Sequence, residues 1–117
     1  MKIEKIVERI VYSDSTFTKR VLFSEEKVLN FVLNMRSGQE IPPHQHEDSD
    51  LILHVMAGGA ELTVDGKIQD IVAGDVIYCE GHETFSLKNN TGVDMSCFVV
   101  LAPRPGLKIY ADEIGNQ

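Results

Sequence analysis

From Phe17 onward the apolar residues of this 117-residue chain recur at every second position, in short runs cut by turn residues. In "FTKRVLF" the alternation sets Phe17, Lys19, Val21 and Phe23 on one face. In "KVLNFVLNMR", Leu29, Phe31, Leu33 and Met35 alternate with Val28, Asn30, Val32 and Asn34. Successive side chains of an extended chain point to opposite faces, so this period, rich in β-branched and aromatic residues, predicts strands. Residues 51–57, 60–65, 67–72, 76–80, 84–88 and 95–101 continue the series. Asp65–Gly66, between "ELTV" and "KIQDIV", is a two-residue hairpin signal, because such turns need positive φ. Gly38, Gly58–Gly59, Gly74–Asp75, "KNNTG" and "PRPG" punctuate the rest. Many short strands with almost no helix predict an all-β sandwich or small barrel. Near the start, Ile3, Ile6, Val7, Ile10 and Val11 fall at helical spacing, although Val and Ile also favour strands.

The length allows one domain and is too short for two ordinary ones. No repeat, linker or low-complexity tract divides the chain. With 11 basic against 18 acidic residues the formal charge is −7, and no basic cluster exceeds Lys19–Arg20. A phosphate-tracking nucleic-acid surface is therefore not expected. "MKIEKIVERI" is broken by charge every two or three residues, unlike a signal-peptide core, and no segment approaches the length of a membrane span. Cys79 and Cys97 lie in the apolar runs "DVIYC" and "SCFVV", which reads as buried free thiols in a cytoplasmic protein.

The chemistry concentrates in "PPHQHEDSDLILH", residues 42–54, where His44 and His46 precede an acidic run. Here the sequence resembles the cupins. Their first motif, G-x5-H-x-H-x(3–4)-E-x6-G, reads "GQEIPPHQHEDSDLILHVMAG" from Gly38 to Gly58. Their second, G-x5-P-x-G-x2-H-x3-N, reads "GDVIYCEGHETFSLKN" from Gly74 to Asn89. The resemblance covers about residues 28–103. It implies a cupin-type double-stranded β-helix, a jelly-roll barrel, preceded by an N-terminal arm and first strands over 1–27. A tail over 104–117 follows. It also implies that His44 and His46 match two of four metal-ligand positions. The glutamate position is filled by Leu51 and the second-motif histidine position by Phe85, while Glu80 and His82 replace that motif's proline and glycine. Leu51 and Phe85 cannot coordinate, and two neutral imidazoles lack the coordination number and charge of a stable divalent site.

Asp50, His82 and, on the same grounds as its neighbour His82, Glu83 could restore a third ligand. Asp50 is one residue before the glutamate position, so on a regular strand it faces away unless a bulge intervenes. His82 sits in the turn "EGHE", from which a loop histidine could swing inward. His54 has odd parity relative to Leu51 and reads as an interface or hydrogen-bonded core histidine. Glu47 and Asp48 read as an ordinary acidic loop, and Tyr78 as a pocket-lining phenol. The expectation is thus a barrel that binds a small molecule beside a degenerate metal site, lined by Leu51, Tyr78 and Phe85. Its cofactor would be none or a weakly held divalent transition metal, with Zn, Ni, Mn and Fe undistinguished. The alternative is a metal-dependent enzyme, dioxygenase- or isomerase-like by resemblance, using His44, His46 and a displaced ligand. "LILHVM" is apolar on both faces, which together with the family habit predicts a homodimer.

Overall fold

The computed structural model describes residues 1–106 and 111–115. A 3-10 turn at Ile6–Arg9 leads into nine strands: β1 (Thr18–Glu25), β2 (Val28–Met35), β3 (Glu40–His44), β4 (Asp50–Ala57), β5 (Gly59–Val64), β6 (Lys67–Val72), β7 (Val76–Cys79), β8 (Phe85–Lys88) and β9 (Met95–Ala102). They form a five-stranded sheet in the order β1-β2-β9-β4-β7 and a four-stranded sheet in the order β3-β8-β5-β6. All named pairings are antiparallel. The alternating apolar residues meet between the sheets: Phe31 lies opposite Val99 and Val99 opposite Leu53, while Ile41 lies opposite Leu87 and Leu87 opposite Leu62. All six are buried. The strand pattern predicts a two-sheet all-β barrel of this kind, and the arrangement is the double-stranded β-helix that the resemblance implies.

Departures from the simple alternation have local causes. A bulge between Val21 and Phe23 shifts the register with β2, so Val21 pairs with Phe31 but Phe23 with Asn30. One extra residue reverses side-chain direction. Phe23 therefore leaves the face shared by Phe17, Lys19 and Val21. Strand β3 escapes the period-two reading because it contains Pro42–Pro43, which cannot donate to a ladder; it survives at the edge of its sheet. The outer faces of β1 and β2 are polar by pattern yet buried at Thr18 and Asn34. The N-terminal arm covers them: Thr18 Oγ1 donates to the Val11 carbonyl at 2.6 Å, and Asn34 Nδ2 to the Arg9 carbonyl at 2.9 Å.

The second motif's last residue is structural. Asn89 is fully buried; its Nδ2 donates to the carbonyls of Met35 (3.0 Å) and Val93 (2.8 Å), and its Oδ1 accepts from the Thr91 amide and hydroxyl. One side chain thereby ties the end of β2 to the β8–β9 turn. At Gly58, φ is +71° and an added Cβ would fall against the Asp94 carbonyl, so this first-motif position accepts glycine alone. Beyond β9, residues 111–115 return to the barrel: Lys19 and Ile114 exchange backbone hydrogen bonds at 2.8 and 3.2 Å, and the Arg20 guanidinium donates to the carbonyls of Ile114 and Gly115.

Candidate functional site: a histidine pair and a buried lysine in one cavity

Between the sheets lies a cavity of about 310 Å³. Its hydrocarbon wall includes Phe17, Phe31, Leu33, Ile41, Leu51, Phe85, Val99 and Leu101, and Ile114 from the returning tail contributes to it. Among the described residues, three polar side chains line it: Lys19, His44 and His46.

The prolines that obscure β3 in the sequence also aim His44. Ile41 pairs with Leu87 in the regular register, and the irregularity at Pro42–Pro43 lets His44, not residue 43, pair with Phe85. Cross-strand partners share a face, so the imidazole enters the cavity beside the phenyl ring, with centroids 5.3 Å apart. His46 is held differently. Its amide donates to the Gly81 carbonyl at 3.1 Å and its carbonyl accepts from the Ser49 amide at 2.9 Å. A Cβ on Gly81 would lie 2.5 Å from the His46 carbonyl and 2.6 Å from that of Ser49. Only glycine lets the two loops approach this closely.

The imidazoles meet through their Nε2 atoms, 3.1 Å apart, and His44 Nδ1 lies 2.9 Å from the Pro42 carbonyl. Burial pushes the His44 imidazole below its usual range against the opposing Pro42 carbonyl, and Lys19 adds to the drop. His46 is pushed down to about 4 by burial first, then by His44 and Lys19. Both rings are therefore neutral at pH 7, and the geometry fixes their tautomers. His44 Nδ1–H donates to Pro42, which leaves a lone pair on its Nε2 to accept from His46 Nε2–H.

Lys19 is the polar cavity side chain that reading the sequence did not single out. It is only 6 % exposed, and its Nζ lies over the Phe31 ring, 4.5 Å from the centroid. Burial lowers its ammonium from 10.5 to about 8, partly opposed by Asp112. The signal was present in "FTKRVLF": a lysine between Phe17 and Val21 on an otherwise apolar face. Lysine is almost never fully buried without a specific reason.

The remaining sequence candidates separate cleanly. Leu51 and Phe85 stand in the cavity wall. Tyr78 does not: it is 56 % exposed on the outer face of β7, where its hydroxyl donates to Asp50 at 2.8 Å. The pocket-lining expectation for Tyr78 is corrected by parity, because its neighbour Cys79 pairs with the inward Leu51 while Tyr78 pairs with Ile52. Asp50 is exposed and engaged with that phenol. His82 is exposed in its turn and lies 3.4 Å from Glu80. His54 is exposed on the outer face, not in the core. Cys79 and Cys97 are buried and free, and burial pushes the Cys97 thiol up to about 12.

The metal that the resemblance implies does not fit this donor set. Two neutral imidazoles converge, Leu51 and Phe85 offer no lone pair, and the third polar group in the cavity is an ammonium. Among the described residues no group of three or more His, Cys, Asp or Glu side chains could hold an ion. Among the described residues the site is instead a hydrocarbon cavity with two neutral imidazoles and the Lys19 ammonium.

Fold and site together define a small double-stranded β-helix barrel with a histidine pair facing its interior. Comparison with known proteins agrees. The family model for the cupin domain matches residues 31–101, and the chain belongs to the cupin family. Similar structures include TT1209 from Thermus thermophilus, with a TM-score of 0.83, 23 % identity, and coverage of 90 % of this chain and 100 % of that one. Another is a conserved double-stranded β-helix protein from Klebsiella pneumoniae, with a TM-score of 0.83 at 22 % identity, covering 89 % and 91 % of the two chains. An RmlC-like cupin from Desulfovibrio desulfuricans aligns with a TM-score of 0.77 at 23 % identity, covering 88 % and 97 %. At these identities the likeness shows the fold alone. No curated protein matches the chain.

Proposed function

We propose that this cupin is a small-molecule-binding barrel whose ligand occupies the cavity between the sheets. The observation that carries the reading is the cavity itself: about 310 Å³ of mostly hydrocarbon wall on which Lys19, His44 and His46 converge. Concave, largely apolar sites with a few placed polar groups are the usual form of ligand pockets. Methyl-resolved NMR against a fragment set tests it. Ligands should shift the methyl resonances of Ile41, Leu51 and Val99, and Val99→Phe, which fills the cavity, should abolish the response. Binding that persists unchanged in Val99→Phe refutes this location.

The competing reading, a metal-dependent enzyme built on His44 and His46, has less support, because His82 and Asp50 are engaged outside the cavity. Added Zn, Mn or Ni should scarcely move the melting temperature. One tightly bound equivalent of metal per chain would overturn the small-molecule reading in favour of the enzyme.

A homodimer in the cytoplasm belongs to the same proposal. Ile52, Val76 and Tyr78 leave an exposed apolar patch on the outer face of β4 and β7. The free cysteines suit a reducing compartment. Light scattering that returns a monomer rejects the dimer.

A further inference from the structure

We infer that residues 111–115 form a latched strap over the entrance of the cavity, and that a small molecule enters and leaves when the strap lifts from β1. The inference rests on the proposal that the cavity is a ligand site and specifies how that site is reached. The place of the entrance comes from topology. β1 is one edge of the five-stranded sheet, and β3 is one edge of the four-stranded sheet. Both border the cavity, β1 through Lys19 and β3 through Ile41, Pro42 and His44. No ladder joins the two strands among the described residues. A barrel has its seam where two edge strands border one interior without pairing.

The strap lies on that seam. β1 pairs with β2 along one side, and on the other Lys19 and Ile114 exchange backbone hydrogen bonds. Directly opposed residues share a face, so Ile114 points inward with Lys19. Its side chain stands in the cavity wall and is nevertheless 38 % exposed. A wall residue that faces the cavity on one side and solvent on the other separates the two. Lifting it opens a path between them.

The attachment is local and polar. Among the described residues the strap meets β1 by a single backbone bridge, whereas β2 meets β1 along its length. The Arg20 guanidinium fastens the bridge from outside the cavity, donating to the carbonyls of Ile114 at 2.9 Å and Gly115 at 2.7 Å. The Glu113 carboxylate accepts from the Val21 amide at 2.8 Å. Gly115 sets the fit: its φ is +85°, and an added Cβ would lie 2.6 Å from the Phe17 carbonyl. Asp112 and Glu113 are exposed. A segment held by a few solvent-facing hydrogen bonds opens at lower free energy than the sheets beneath it. Arg20 and Gly115 are thus positioning residues, which govern access without lining the cavity.

The experiment joins amide hydrogen exchange to the kinetics of benzene, a probe that apolar cavities take up. In the unaltered protein the Lys19 and Ile114 amides should exchange through a local opening that low urea does not accelerate. The amides of β9, which pairs with a strand on either side, should exchange only through global unfolding. Arg20→Gln removes the latch and Gly115→Ala obstructs its seat. Each should speed exchange at Lys19 and Ile114 about tenfold and leave β9 unchanged. Relaxation dispersion of the Val99 and Leu101 methyls should show benzene association and dissociation accelerated by the same factor, with Kd held within about threefold. Lys19 and Ile114 amides that exchange only with global unfolding, or that respond to neither variant, overturn the strap and leave the ligand-site proposal standing. Faster exchange with unchanged benzene rates also overturns it, because entry then lies elsewhere. If benzene shifts no cavity methyl in any of the three proteins, the inference and the ligand-site proposal fall together. The urea comparison on the unaltered protein needs no variant, so variants that failed to fold would not protect the inference.

Discussion

A lysine held inside a hydrocarbon cavity should cost this protein stability, and Lys19→Met measures how much. The ammonium falls from 10.5 to about 8 on folding, chiefly through burial. At about 1.4 kcal/mol per pH unit, keeping it protonated at pH 7 costs about 3 kcal/mol. Methionine is of similar length and has no charge to desolvate, so it avoids that cost. It forfeits the cation–π contact with Phe31, worth about 0.5–2 kcal/mol. The variant should be more stable at pH 7 by about 1–3 kcal/mol. The sign against pH follows from linkage. Between pH 8 and 10.5 the unfolded chain holds the Lys19 proton more tightly than the folded one, so the lysine protein gains stability as pH rises. Methionine cannot titrate, so its advantage should shrink by about 3 kcal/mol across that window. Urea denaturation of both proteins at intervals from pH 7 to 10.5 reads the difference. Tyr12, Tyr78, Cys79 and Cys97, whose pKa values are raised, titrate in both and cancel. A constant gap, or a Lys19→Met protein less stable at pH 7, refutes the picture of a desolvated cation. A residue that destabilises the fold and lines its cavity is what a binding site retained at the expense of stability looks like.

Other residues give sharper or simpler tests. Acid should weaken the fold through His46: because its folded value lies near 4, the unfolded chain takes up the proton first as pH falls below 6.5. Stability should drop by about 3 kcal/mol more between pH 7 and 4 than in His46→Gln, measured by denaturant titration at each pH. Gly81→Ala should destabilise by about 1–3 kcal/mol and move the His46 imidazole resonances, since its Cβ would strike two backbone carbonyls. Asn89→Ala should cost about 2–4 kcal/mol by leaving buried carbonyls without donors, whereas ligand affinity in the surviving fold should hold. His82→Ala and Tyr78→Phe, both outside the cavity, should leave the fragment-induced shifts of the Ile41, Leu51 and Val99 methyls unchanged within about twofold in affinity.

The fold was legible because period-two patterning and turn residues act locally. Eight of the strands follow directly from alternation, and Asp65–Gly66 closes the β5–β6 hairpin as its chemistry demands. What the pattern could not supply was anything set by a slipped register. The bulge that removes Phe23 from the inner face has no marker in "VLFSE", and the two prolines that hid β3 are what turn His44 inward. The site divides along the same line. His44, His46, Leu51 and Phe85 were legible because two motifs fix their spacing. Lys19 lies outside both motifs, and its importance depends on β1 bordering the cavity and on residues 111–115 folding back across it. Tyr78 failed for the opposite reason: a phenol beside the second motif invites a role, but strand parity settled its direction once Leu51 was inward. The metal positions of the motif are therefore a poor guide to this chain's chemistry, because the charge in its cavity enters from a strand the motifs do not describe. Among the described residues the cavity lining holds hydrocarbon at two of the four ligand positions and an ammonium beside the two imidazoles, so the cavity differs from a carboxylate-bearing metal site in kind and not only in the number of its ligands.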